Sequence, residues 1–151
     1  EAAGLLKADI QLDHDIPHVS LKPHAWRQLK TENSERVIPL FVTSLWAARR
    51  ILKCTDAEFA FPRFTNVTRC NSNSASATLN KWMKPLVPDG CVIHSFRHSL
   101  RNRLRAVETP SEIADLLGGW TSKTVGQSYG KGYDLRVLQR WMKRLPEFSS
   151  D

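Results

Sequence analysis

The chain has 151 residues, with 22 Lys/Arg against 15 Asp/Glu, a net charge of +7 and a pI near 9.7. That length suffices for one domain with a real core, and no apolar run approaches membrane-spanning length. The odd set Cys54, Cys70 and Cys91 outlines no disulfide framework. With no secretory signal readable, reduced thiols in a cytoplasmic protein are expected. The basic excess is uneven: residues 94 to 144 hold ten Lys/Arg and four Asp/Glu, whereas the first 93 hold twelve and nine. A polyanionic partner is the expectation this raises, although charge alone says nothing of fold.

Residues 1 to 6 read as the end of a helix. Short strands follow at Ile10 to Leu12, Val19 to Leu21 and Arg36 to Leu40, where apolar and polar residues alternate between turn residues. Trp26 to Leu29 is a candidate further strand, turning through Thr31-Glu32-Asn33-Ser34. Thr43 to Cys54 reads as a helix with Leu45, Ala48 and Leu52 near helical spacing, and Pro62 to Thr65 as loop. Asn71 to Ala77 is a polar loop or helix start. Ala75 to Leu86 then forms a helix expected to turn Leu79, Trp82 and Met83 to the core.

Pro88-Asp89-Gly90 marks a turn. From about His94 to Val107 the apolar residues Phe96, Leu100, Leu104 and Val107 draw one stripe on a helix. His94, His98, Arg101 and Arg105 fall opposite, and Arg97 lies on the border. Thr109-Pro110-Ser111-Glu112 reads as a helix start with Thr109 as cap. This helix is expected to bury Ile113, Leu116 and Leu117 and to stop at Gly118-Gly119. Asp134 can cap a last helix that carries Leu135, Leu138, Trp141, Met142 and Leu145 on one side. With no repeat and no low-complexity linker, one domain is expected. The fold class is mainly α with a small antiparallel sheet of three strands near the N-terminus.

Five residues carry candidate chemistry. Arg97 has a planar fork that donates two parallel hydrogen bonds to a phosphate, which lysine cannot copy. His94 sits one helical turn earlier, so both side chains can converge on one oxygen cluster. Trp120 offers an indole N–H, a donor only. Tyr129 carries a phenol whose free pKa is about 10, so a base or nearby cations must activate it. Lys30 supplies an ammonium on the turn before the strand at Arg36. Cys91-x-x-His94-x-x-x-His98 has a metal-like look, but no fourth ligand is evident and Arg97 would crowd an ion with like charge. Neither metal nor cofactor is expected.

The order His94-Ser95-Phe96-Arg97, then Leu117-Gly118-Gly119-Trp120, then Tyr129 nine residues beyond Trp120, resembles the catalytic domain of tyrosine recombinases, the phage integrase family. That family has His-x-x-Arg, a Leu-Gly-His or Leu-Gly-Trp turn, and a tyrosine nine residues on. The resemblance covers roughly Glu1 to Leu145. It implies the integrase catalytic-core fold for residues 1–151, and it gives Tyr129 as nucleophile attacking a DNA phosphodiester to form a 3′-phosphotyrosyl bond. Lys30 would be the acid for the 5′ oxygen, and Arg97, His94 and Trp120 would hold the phosphate. Arg97, Arg101, Lys123 and Lys131 are the cations expected on DNA. The partners implied are double-stranded DNA and further copies of the protein, as a tetramer on paired sites, with no membrane.

One departure stands out. Glu1 matches the glutamate of the family's Arg-x-x-Glu stretch, so the family's first catalytic arginine is expected before residue 1, and its core-binding domain likewise. The chain by itself is then expected to be impaired. Two other readings remain open. Thr109 to Gly130 can be read as a helix-turn-helix module that binds DNA without chemistry. A type IB topoisomerase shares the catalytic logic, although the short length and the Leu-Leu-Gly-Gly-Trp turn speak against it.

Overall fold

The computed structural model describes residues 1–29, 34–54, 56–120 and 133–146. Among these the chain is mainly helical, with a small three-stranded antiparallel sheet. The strands are β1 (Ile10–Gln11), β2 (His18–Leu21) and β3 (Arg36–Pro39), in spatial order β1-β2-β3. Val19 is the central register point, facing Ile10 on one side and Ile38 on the other. Leu21 opposes Arg36 at the far end. Five helices follow: α1 (Thr43–Cys54), α2 (Ser72–Met83), α3 (Ser95–Ala106), α4 (Ser111–Gly118) and α5 (Leu135–Met142).

Two hydrophobic clusters hold these elements. The first gathers Leu5, Ile10, Leu21, Leu40, Ala48 and Ala60, so it joins the sheet to α1, whose Leu45, Ile51 and Leu52 pack against it. The second gathers Leu104, Ile113, Ala114, Leu117, Leu138 and Leu145 from α3, α4, α5 and the residues just after α5. β3 lies between them, touching β2 as well as α4 and α5. The apolar face of α5 therefore docks on its own chain. Its start is fixed by Asp134, whose carboxylate accepts from the Arg136 N–H at 2.9 Å.

Leu104 is 0 % exposed and sits at the centre of the second cluster. Leu104→Ala should cost about 2–5 kcal/mol, the sum of lost transfer energy and the cavity left behind. A urea midpoint that falls with an unchanged slope is the expected readout, and an unchanged midpoint would contradict this packing.

Several expectations need correcting. Residues 1 to 6 are not the end of an α-helix. They form a 3₁₀ turn at Ala2–Gly4, with a second at Lys7–Asp9. Trp26 to Leu29 is not a strand: His24 and Arg27 close a tight turn by exchanging backbone hydrogen bonds at 3.0 Å. Helix α2 begins at Ser72, because the Asn71 side chain accepts from the Ser74 N–H. It buries Ala75 and Met83 but leaves Leu79 and Trp82 exposed, Trp82 at 65 %. It packs on the Ala2–Gly4 turn, a support too small to cover both.

Phe96 is exposed too, although it lies on the stripe with Leu100, Leu104 and Val107. The helix that covers the stripe, α4, has eight residues, about 12 Å of rise, and reaches only the later turns of α3. Thr109 does not cap α4. Pro110 takes the cap position, and the Thr109 hydroxyl is buried without a partner among the described residues. Leu116 is half-buried, whereas Ile113 and Leu117 are in the core. No helix among the described residues is long and apolar enough to cross a membrane.

Candidate functional site

Helix α4 ends where Gly119 enters the left-handed region at φ 61°, a conformation that costs glycine nothing. The Trp120 N–H then reaches back to the Asp115 carbonyl at 2.9 Å, closing the turn. This closure folds the indole back over Gly118, where any β-carbon would overlap the ring. Gly118 leaves the space that the indole occupies, and Gly119 supplies a left-handed angle that few side chains favour.

Arg97 meets this turn from α3. One guanidinium nitrogen donates to the Gly118 carbonyl at 2.7 Å and the other reaches the Gly119 carbonyl at 3.4 Å. Its Cζ lies 5.0 Å from the centroid of the Trp120 ring. Arg101, one turn further along α3, places its own Cζ 4.9 Å from that ring and pairs with Asp115 at 3.8 Å. Two half-buried cations therefore face one half-buried indole, an attraction that strengthens as water is excluded. His94 occupies the position just before α3, exposed, and its carbonyl accepts from the Arg97 N–H. Its ring stands edge-on to His98 at 5.3 Å.

The structure thus brings Arg97, Arg101 and Trp120 together, with His94 on the adjoining turn. Lys30, Lys123, Tyr129 and Lys131 lie outside the described residues, as does the second helix of the helix-turn-helix reading. Among the described residues no three His, Cys, Asp or Glu side chains gather to hold a metal. Tyr133, the other tyrosine near the expected nucleophile, donates its hydroxyl to Glu112 Oε2 at 2.6 Å. That hydrogen bond, with slight burial and the carboxylate's charge, pushes the phenol above its usual pKa and keeps it protonated.

Two further groups escaped the reading of the sequence. Arg36 on β3 binds Glu1 through both nitrogens of its fork, at 2.7 and 3.2 Å, and donates to the Ser34 carbonyl at 2.8 Å. Burial works to raise the pKa of Glu1. The Arg36 hydrogen bond and charge outweigh it, aided by Arg97, and hold the carboxyl below its usual range. A depressed carboxylate stabilises the fold above its ordinary pKa and loses that contribution as pH falls through the lowered value.

Asp9 forms the other group. It is fully buried and accepts from the Leu6 N–H at 3.1 Å, with His24 at 3.0 Å, Arg27 at 3.5 Å and Lys22 at 3.9 Å. His24 stacks on Trp26, whose indole donates to the Gly4 carbonyl. Arg27 also donates to the carbonyls of Glu1 and Lys22, so the Asp9 cluster helps hold the backbone that presents Glu1 to Arg36. One signal for Arg36 was available. Strand alternation puts it on the same side as Ile38, which packs on the core, so a charge there calls for a buried partner.

No family model, curated protein or solved structure matches the chain.

Proposed function

We propose that this chain is the catalytic domain of a tyrosine recombinase, with the integrase catalytic-core fold, which breaks and rejoins double-stranded DNA. The supporting observation is the Arg97 guanidinium stacked 5.0 Å from the Trp120 ring at the Gly118-Gly119 turn, with Arg101 on the same indole. Arg97 and Trp120 are groups that the resemblance assigns to the scissile phosphate, and they come to one place from α3 and from the turn that ends α4.

Attack on a DNA phosphodiester is slow because it adds negative charge to a group that already repels nucleophiles. Phosphoryl transfer is therefore accelerated mainly by positioning and by cations around the non-bridging oxygens. In the proposed reaction the Tyr129 oxygen bonds to phosphorus, the bond to the 5′ oxygen breaks, and the phenolic proton passes to water. Lys30 protonates the departing 5′ oxygen. Arg97, His94 and Trp120 hold the phosphate, while Arg101, Lys123 and Lys131 contact the duplex. A 5′ hydroxyl of the partner strand then reverses the step. One phosphoester replaces another, so no ATP is consumed. The protein works in the cytoplasm as a tetramer on paired sites.

A library of nicked duplexes with random sequence around the nick, presented to the full-length protein, tests this reading, because loss of the short strand traps the covalent product. The expected result is a protein–DNA species that survives SDS and is enriched for particular sequences. Binding that is only reversible and falls steeply with salt would overturn it and favour a DNA-binding module without chemistry.

A further inference from the structure

We propose that Arg36 is a positioning residue for this site: its guanidinium, clamped by Glu1, seats the Gly118-Gly119 turn and thereby sets Trp120 against Arg97. The relevance to catalysis rests on the recombinase reading, whereas the positioning itself does not.

The turn is held from two directions. Arg97 grips its two carbonyls from α3. Arg36 comes from β3 and fills the space beside the Gly119 Cα: a β-carbon there would lie 2.5 Å from Arg36 Cζ and Nη1, and 3.0 Å from Nε. The Arg36 side chain is 7 % exposed, and its Nε has no hydrogen-bond partner among the described residues. It cannot retreat into solvent without losing both Glu1 contacts. Asparagine also tolerates the left-handed angle, so the backbone alone does not demand glycine at 119. The close approach of Arg36 does.

The clamp also has an electrostatic consequence. Glu1 lies near enough to Arg97 to be influenced by its charge. While Arg36 occupies both carboxylate oxygens, Glu1 is neutralised. Without Arg36, Glu1 is a free anion beside the cation that must take a phosphate, and it competes for that cation. Lysine keeps the charge but offers no planar fork, so it satisfies one carboxylate oxygen at a time and cannot fill the seat over Gly119.

The test uses protein labelled with 5-fluorotryptophan and read by ¹⁹F NMR, with the Trp120 signal assigned through Trp120→Phe. In Arg36→Met and Arg36→Lys the Trp120 resonance is expected to move or broaden. Signals from Trp26, Trp46, Trp82 and Trp141 should hold, showing that the fold persists. Gly119→Ala should perturb the same resonance, and its cost in stability should be smaller in the Arg36→Met background than in the unaltered protein, because the clash is gone. In the trapping assay, Arg36→Met should slow adduct formation at least tenfold, and Glu1→Gln added to it should restore part of that loss. A Trp120 signal unmoved in both Arg36 variants overturns the proposal, whatever the DNA assay gives. Additive costs for Gly119→Ala and Arg36→Met overturn it as well. A moved Trp120 signal in a full-length protein that never forms an adduct leaves the positioning standing and removes the recombinase reading instead.

Discussion

Tyr129→Phe in the full-length protein is expected to abolish the covalent DNA adduct, lowering its rate of formation by at least about a thousandfold while DNA binding is kept. The substitution removes the one oxygen that is proposed to bond to phosphorus, so no phosphotyrosyl bond can form without it. Tyr133 stands four residues on, but its hydroxyl is engaged with Glu112, which holds the phenol protonated. Tyr133→Phe should therefore leave the adduct intact. The measurement is the fraction of end-labelled DNA that migrates with protein on a denaturing gel. An adduct that persists in Tyr129→Phe and vanishes in Tyr133→Phe would move the chemistry to the second tyrosine, and one that persists in both would end the proposed mechanism.

Asp9→Ala should be the most damaging single change to stability, at about 3–5 kcal/mol, because it strips one partner from a buried group of charges. Arg27 would be left in the interior with its Nε already unpartnered, and the Leu6 N–H would lose its acceptor. A domain of this size is stable by only about 5–15 kcal/mol, so the loss is a large share of the whole. Asp9→Asn keeps the shape and an acceptor oxygen and should cost less than Asp9→Ala. Chemical denaturation checks both. An Asp9→Ala protein within about 0.5 kcal/mol of the original, the range of an ordinary surface change, would show that the cluster contributes little.

The elements that could be read from the sequence are those whose signals are local. Helix α1 runs from Thr43 to Cys54 as its periodicity predicts. Gly119 stops α4 and Asp134 starts α5 for reasons contained in a few neighbouring residues. The three strands appear where alternation placed them. Apolar spacing, however, tells which side of a helix could be buried and not whether anything covers it. Leu79 and Trp82 were assigned inward on that basis and face outward, and Phe96, on the apolar stripe of its helix, is exposed as well.

Long-range pairing was out of reach for a related reason. Arg27 is buried, yet a charged residue reads as surface by default, and its partners are Asp9, eighteen positions earlier, and the carbonyls of Glu1 and Lys22. The candidate site divides along the same line. Arg97, Trp120 and His94 were found from their spacing, and the first two do meet. Arg101 was named for its charge alone, and its stacking on Trp120 and pairing with Asp115 needed the fold. The Glu1–Arg36 clamp spans thirty-five positions and has no local signature beyond a charge at an inward-facing strand position.

β3 has a consequence for the molecule as a whole. Its four residues lean on the first hydrophobic cluster through Ile38 and meet α4 and α5 of the second, while Arg36 at its start reaches the turn beside Trp120. Among the described residues, a disturbance in either reservoir of apolar packing therefore has a route to the other along this ribbon, and the groups proposed to grip phosphate share a mechanical foundation with the sheet.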